Sequence, residues 1–319
     1  MKVVITARNY DMPGCRAIGM LREAGFETAD YGALGLSVGA PEEQLLSLMG
    51  DADAVICGLE PYRGSLLARC PRLRVISRRG IGYDSVDLPA CRERGISVWR
   101  TLGAVEGSVA EQVMAYILYE ARRIDLQDAP MHRHEWKRML LPGAKGRSLG
   151  LIGFGGIGKE IARRAVPFGM RVYYTCRHPD PAWEKQYGVT YLPMEELLAR
   201  CEYVSVNVPQ TPETLGLIGR ERLALMREGS VLINIARSPI VDTGALCEAL
   251  NSGHLRRAYV DVYPHEPCTD SPLMDCPNAV LTPHTASYTE ENFTAMNELA
   301  ALNVIRAFSG APDEGCRLV

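Results

Sequence analysis

Short β-branched runs alternate with helix-length stretches along the whole chain. Residues 3–5, 54–57, 75–77 and 97–99 are apolar runs bounded by polar or Gly/Pro signals, the pattern of fully buried strands. Between them, 15–24, 41–49 and 88–94 read as helices, the first two closing near Gly25 and Gly50. Strand–helix alternation at this spacing predicts parallel sheets covered by helices on both faces, an α/β fold. The stretch 108–123 is different. Val109, Val113, Met114, Tyr116, Ile117 and Leu118 go most of the way round a helix, which predicts burial on several sides, as in a domain-connecting or subunit-contact helix. The next segment, 125–146, carries Pro130, His132, His134, Trp136 and Pro142 and reads as irregular, a surface loop. A fresh strand–turn–helix follows, marking a second domain.

That second domain opens with Ser148-Leu149-Gly150-Leu151-Ile152 running into Gly153-Phe154-Gly155-Gly156-Ile157-Gly158 and a helical stretch. A GxGxxG placed between an apolar strand and a helix has a physical use. Gly153 permits the tight turn, Gly155 lets the backbone approach a pyrophosphate, and Gly158 lets the helix pack on the strand. Free N–H groups at the helix start then bind the anion. About 20 residues on, such a fingerprint normally offers an acidic residue to the adenosine ribose. Here Cys176-Arg177-His178 end the second strand, and the first carboxylate is Asp180. A missing carboxylate removes repulsion toward a 2′-phosphate, and Arg177 can pair with it. The pattern favours NADP(H) over NAD(H), unless Arg177 is merely a solvated loop residue.

Three later strands end in chemistry: one of residues 231–235 followed by Ala236 and Arg237, one at 259–262 followed by His265, Glu266 and Pro267, and one at 280–281 followed by Thr282, Pro283 and His284. Ligands of open α/β sheets bind beyond the carboxyl ends of strands, so these ends offer a guanidinium, a carboxylate and an imidazole to one crevice. Carbonyl reduction needs that set. Arg237 can polarise the oxygen and bind a carboxylate bidentately, His284 can act as general acid, and Glu266 can favour the protonated imidazole. Each residue alone has a structural reading, as a strand cap, a satisfied histidine or a solvated turn; together on this scaffold they point to a site.

Composition narrows the class. The chain has 319 residues and a net charge of −3, so it lacks the basic excess a dedicated nucleic-acid binder uses. No apolar run reaches the roughly 18 residues of a membrane helix, and the N-terminal stretch reads as a strand rather than a signal peptide. Ten scattered cysteines without a CxxC pair read as reduced thiols rather than disulfides or zinc ligands, which suits the cytoplasm. The terminal Cys316-Arg317-Leu318-Val319 resembles a prenylation box, but Pro312-Asp313-Glu314 upstream is not a basic cluster, so no lipid anchor is expected.

With these motifs in order, the chain resembles the D-isomer-specific 2-hydroxyacid dehydrogenases. The resemblance is carried by Gly80-Ile81-Gly82-Tyr83-Asp84-Ser85-Val86-Asp87, Ser108-Val109-Ala110-Glu111, the Gly153–Gly158 turn and Val208-Pro209-Gln210-Thr211-Pro212-Glu213-Thr214. It continues through Asn234-Ile235-Ala236-Arg237, Asp261-Val262, Glu266-Pro267 and Thr282-Pro283-His284. It implies two doubly wound parallel-sheet domains, a Rossmann cofactor domain at 102–285 inserted into a flavodoxin-like substrate domain formed by 1–101 and 286–319. It makes Arg237, Glu266 and His284 catalytic, and gives the substrate carboxylate to the N–H groups of the Gly80, Ile81 and Gly82 loop. Gly155, Gly156, Ile157 and Gly158 would meet the pyrophosphate. Val208, Pro209 and Thr214 would flank the adenosine, with Asp261 and the Ile235 carbonyl on the carboxamide. It also implies a homodimer through the 108–123 helix, and no metal.

Some positions depart from the family pattern. Cys176 stands in place of the ribose Asp, Ser238 in place of Gly, Asn207 in place of a frequent His, and Val105 near a substrate-contacting Asn. Arg78 and Arg79 before the carboxylate loop would recognise a second anionic group on the substrate, or else be solvated at a strand end. The expected activity is NADPH-preferring reduction of a small anionic 2-keto acid to a D-2-hydroxy acid. The alternatives are a corepressor-like protein that senses NAD(P)H on the same fold, and a dehydrogenase of a related small oxoanion.

Overall fold

A computed structural model of the chain describes residues 1–310 and 315–319. Pro312, Asp313 and Glu314, which bear on the terminal tetrapeptide, lie outside the described residues. The described chain forms two compact units, Met1–Val105 with Ser287–Val319, and Glu106–Ala286. The sequence reading draws these boundaries at 101/102 and 285/286.

The first unit runs β1 (Lys2–Ile5), α1 (Ala17–Glu23), β2 (Glu27–Asp30), α2 (Glu42–Met49), β3 (Ala54–Cys57), α3 (Gly64–Ala68), β4 (Val75–Arg78), α4 (Leu88–Glu93) and β5 (Ser97–Arg100). Its strands pair in the order β2-β1-β3-β4-β5, all parallel, which is the flavodoxin-like winding. Strands β3 and β4 are buried along their full length; β3 is wholly apolar, while β4 also carries Ser77 and Arg78 into the interior. The edge strand β2, Glu-Thr-Ala-Asp, escaped the hydrophobic pattern because one side is unpaired and wet.

The second unit runs α5 (Glu106–Arg122), α6 (Ile124–His132), β6 (Ser148–Ile152), α7 (Gly156–Ala165), β7 (Arg171–Thr175), α8 (Pro181–Tyr187), β8 (Thr190–Tyr191), α9 (Met194–Arg200), β9 (Tyr203–Val206), α10 (Arg220–Leu225), β10 (Ser230–Asn234), α11 (Thr243–Asn251), β11 (Leu255–Val260) and β12 (Ala279–Leu281). Its seven parallel strands lie in the order β12-β11-β10-β9-β6-β7-β8. The order reverses between β6 and β9, so the crevice above their carboxyl ends is the switch point at which such sheets bind ligands. Helix α5 is buried on several faces, as predicted: Val109, Val113, Met114, Tyr116 and Ile117 join the core formed by β6, α7 and β11. Glu120, buried on α5, forms ion pairs with Arg256 and Arg257 and accepts from the Tyr259 hydroxyl, so its charge is partnered.

The segment expected to be irregular from 125 begins instead as α6. Arg123 in a left-handed conformation (φ 39°) separates it from α5, and residues 124–129 contain no helix breaker. Pro130 lies inside α6, two residues before its end, where its missing N–H forgoes a helix bond; 133 onward is irregular, with Trp136 exposed.

The chain ends with α12 (Glu290–Ser309), which belongs to the first unit. Thr289 caps its start by accepting from the Asn292 N–H, and Gly310 closes it at φ 75°. Buried Asn297 pins it: its amide donates to the carbonyls of Asn9 and Tyr10, while the Tyr10 hydroxyl donates back to the Asn297 carbonyl. Among the described residues no helix is long and apolar enough to cross a membrane. All ten cysteines are free thiols.

Candidate active site

The glycine turn between β6 and α7 has the geometry its spacing suggests. Gly153 sits at φ 98°, and a Cβ there would lie 2.9 Å from Val208 Cγ1 and 3.0 Å from the Asn207 backbone. A Cβ at Gly158 would come within 2.4 Å of the Gly153 carbonyl oxygen, so only glycine lets α7 approach the turn this closely. At Gly155 the opposite holds: nothing lies within 4 Å of a Cβ position. The turn therefore exposes bare backbone at Gly155, next to the unpaired N–H groups of Gly156, Ile157 and Gly158 in the first turn of a ten-residue helix. That is a cradle for a diphosphate, and a dinucleotide fits it.

Beyond β10, Asn234 makes a short turn of its own, accepting from the Ala236 N–H (3.2 Å) and donating to the Arg237 carbonyl (3.2 Å). This Asx-type turn presents Arg237, whose guanidinium donates to the Ala236 carbonyl (2.8 Å). Beyond β11, Glu266 accepts from the Tyr263 N–H at Oε1 and from His284 Nδ1 at Oε2, the latter at 2.7 Å. Burial pushes the Glu266 carboxyl up. The His284 hydrogen bond and charge, the Tyr263 N–H and the Arg237 guanidinium outweigh it and hold the carboxyl below its usual range. An ionised carboxylate only accepts, so His284 Nδ1 carries a proton and Nε2 is the atom left to exchange one. The side chains of His284 and Glu266 are 27% and 19% exposed, open enough to meet a ligand. Arg237, Glu266 and His284, far apart in sequence, are thus brought together on three neighbouring strand ends.

His284 adopts φ 54°, a left-handed conformation that non-glycine residues avoid at a cost on the order of 1 kcal/mol. What holds it there is Asp261, which is completely buried. Its carboxylate accepts from the Thr282 hydroxyl (2.6 Å), the Thr285 N–H (2.8 Å) and the Ala286 N–H (2.9 Å), clamping the loop on both sides of His284. The Thr282 hydroxyl in turn accepts from Tyr116 of α5, and the Tyr263 hydroxyl donates to the Thr282 carbonyl (3.0 Å). Sequence reasoning gave Asp261 a contact with the carboxamide. In the structure that side chain also accepts three hydrogen bonds inside the fold, as a buried carboxylate must find donors. Tyr116, Asn234 and Tyr263 went unrecognised as site residues. Only Asn234, three residues before an arginine at a strand end, left a local signal.

At the end of β7, the Cys176 thiol donates to the His178 carbonyl (3.0 Å), and burial pushes it up, so it is neutral. Asp180, the nearest carboxylate, is occupied: it pairs with Lys159 of α7 (2.8 Å) and caps α8 through the Trp183 N–H. Arg177 is exposed, and its charge reaches Glu213 on the loop that follows Val208 and Pro209. Thr214 closes that loop by donating to the Pro209 carbonyl at 2.7 Å. Ile235, 7% exposed, lies at the end of β10. Among the residues flagged as departures, Ser238 is buried and starts a short 3-10 turn, and Asn207 bonds to Ser205.

In the first unit, Gly80 takes φ 132°; its N–H donates to the Thr101 hydroxyl (2.7 Å) and its carbonyl accepts from the Thr101 N–H. With Gly80 fixed, the N–H groups of Ile81 and Gly82 are left without acceptors among the described residues, a concavity suited to a carboxylate. The two arginines before it are not solvated side chains at a strand end, since both are buried. Arg79 is held inside the unit by the Arg8 carbonyl and Asn297, with its guanidinium 4.5 Å above the Phe293 ring. Arg78 donates to the Arg79 carbonyl and lies where a Cβ on Gly80 would go. Buried Glu60 lies near both; burial pushes its carboxyl up, against the pull of the two guanidinium groups.

Comparison with known proteins agrees with this fold. Residues 114–286 match the family model described as D-isomer specific 2-hydroxyacid dehydrogenase, NAD binding domain. A D-3-phosphoglycerate dehydrogenase of Mycobacterium bovis is 38% identical over 256 residues, covering 79% of this chain and 48% of the relative, so the chain spans about half of that protein's length. A glyoxylate reductase of Pyrococcus furiosus is 38% identical over 275 residues, covering 83% of this chain and 82% of the relative. Among solved structures, the TT0316 protein of Thermus thermophilus superposes with a TM-score of 0.87 at 36% identity over the whole of both chains.

The turn geometry separates folding from binding. Gly158→Ala should lower the urea-unfolding free energy by about 2 kcal/mol or more, because the clash is with backbone. Gly155→Ala should leave the unfolding midpoint nearly unchanged while weakening dinucleotide binding, read by fluorescence titration.

Proposed function

The chain belongs to the D-isomer specific 2-hydroxyacid dehydrogenase family, and from that premise we propose that it reduces a small anionic 2-keto acid to the D-2-hydroxy acid, using NADPH in preference to NADH. The observation that carries this reading is the 2.7 Å contact of His284 Nδ1 with Glu266, within reach of the Arg237 charge. When bound, the nicotinamide supplies the hydride. Arg237 draws electron density onto the carbonyl oxygen and pairs with the carboxylate. His284 delivers a proton from Nε2 to the developing alkoxide, and Glu266 stabilises the imidazolium beforehand and fixes its ring. The first turn of α7 would hold the pyrophosphate, and the Ile235 carbonyl would meet the carboxamide. In the first unit, the Ile81 and Gly82 N–H groups offer a second carboxylate-binding element, and Arg78 beside them favours substrates rich in negative charge.

NADPH preference is supported by the end of β7, where a neutral thiol, an already paired Asp180 and an exposed Arg177 leave no free carboxylate to repel a 2′-phosphate. A homodimer is supported by exposed apolar side chains along 124–140: Ile124, Leu126, Met131, Trp136 and Leu140. Because α5 is largely covered within its own unit, this stretch rather than the 108–123 helix is the stronger candidate interface. Ten free thiols suit the cytoplasm.

Steady-state assays of glyoxylate, hydroxypyruvate, pyruvate, oxaloacetate and phosphorylated analogues test the activity. Reduction takes up a proton, delivered through His284 Nε2, so it should slow as pH rises. His284→Gln should cut kcat by roughly 10²–10⁴ and remove that limb. Unchanged turnover in this variant would refute the assignment. Arg237→Lys should lose most of kcat/KM, since an ammonium cannot reproduce the planar fork.

On the cofactor, kcat/KM should favour NADPH, and Arg177→Ala should shrink the ratio by about tenfold or more. A wild-type preference for NADH would reverse this reading. For assembly, sedimentation should show a dimer that Trp136→Asp with Leu140→Asp converts to monomer.

A further inference from the structure

We infer that the turn following β11 carries a site for a borderline-soft divalent cation of the zinc class, formed by His265, Cys268 and Asp270. The three donor atoms, an imidazole nitrogen, a thiol sulfur and a carboxylate oxygen, all lie within 4.8 Å of one another. His265 Nε2 stands 2.9 Å from Asp270 Oδ1, and Cys268 Sγ stands 3.6 Å from the same oxygen. Zinc bonds of about 2.0–2.3 Å in a tetrahedron give donor–donor edges of about 3.4 Å for N···O and about 3.6 Å for S···O. One edge therefore already matches, a second needs to open by roughly half an ångström, and the third, between the imidazole nitrogen and the sulfur, lies within 4.8 Å.

The turn is anchored at both ends. At its start the Tyr263 N–H donates to Glu266, and at its end buried Ser271 caps the following short helix through the Leu273 N–H. The donors are thus carried on a short, tethered piece of chain. A neutral imidazole, a thiolate and a carboxylate sum to −2, which balances a divalent ion and leaves a fourth position for water. The mixed N, S and O donor set favours zinc or cobalt over magnesium, which prefers an all-oxygen octahedron. Binding displaces the Cys268 thiol proton into solvent, with no change of oxidation state. Because Glu266 lies between the ligands in sequence, an occupied site restrains the turn that presents it to His284.

The test is titration of the full chain with Zn²⁺ in competition with a chromophoric chelator, and with Co²⁺ followed by absorption. The expected result is one equivalent bound, with the visible bands of tetrahedral cobalt, thiolate-to-cobalt charge transfer in the near ultraviolet, and release of protons. His265→Ala, Cys268→Ser and Asp270→Asn should each weaken binding by more than about tenfold. Unchanged affinity in the triple variant, or cobalt spectra without thiolate character, would overturn the site. A second readout rests on the reductase reading: Zn²⁺ should slow 2-keto acid reduction in the wild type and not in Cys268→Ser. An equal response in both, including none, would overturn the link to Glu266, while the direct titration decides the site independently.

Discussion

The second unit depends on a charge with no access to water. Asp261 is wholly buried at the end of β11, and a carboxylate there is tolerable only when it finds hydrogen-bond donors. Thr282, Thr285 and Ala286 supply three, and all of them belong to the loop after β12. Desolvation of one side chain therefore dictates the path of another strand's loop. It holds His284 at φ 54°, a conformation the histidine would not choose on local grounds. The strain is stored where the imidazole must point at its partner.

Around that anchor the electrostatics are layered. Glu266 is desolvated, which alone would favour the neutral acid, yet the histidine, a backbone N–H and the arginine keep it ionised. An ionised Glu266 fixes the histidine tautomer and leaves Nε2 for proton exchange. The outer supports are neutral: the Tyr116 and Tyr263 hydroxyls and the Asn234 amide orient the loops without adding charge. Apart from Asp261, charge at the site thus stays with the three groups whose chemistry needs it.

The glycine turn shows a similar division of labour. Gly153 and Gly158 are required by close backbone approach and would be glycine in any fold with this packing. Gly155 is required by nothing in the protein, which is why its bare backbone reads as room for a ligand. At the far end of the same crevice, Lys159 and Asp180 neutralise one another and stabilise the start of α8, leaving Arg177 as the exposed charge.

Much of this was legible in the amino-acid order. Buried parallel strands need continuous apolar runs, and the glycine spacing is a covalent record of a tight turn, so the α/β class and the strand–turn–helix at 148–165 could be read locally. Strand ends bearing Arg237, Glu266 and His284 were visible for the same reason. Edge strand β2 was not, because half its surroundings are water and its polar residues carry no period. Helix α6 was hidden because it carries a proline inside it, a residue that locally argues against a helix. The burial of Arg78 and Arg79, the conversion of Asp261 into a clamp, and the chain of hydroxyls from Tyr116 through Thr282 had no local signature. They arise from contacts between residues 21 to 218 positions apart. Sequence records what each segment prefers by itself; which polar groups lose water, and must therefore find one another, is decided only when the segments pack.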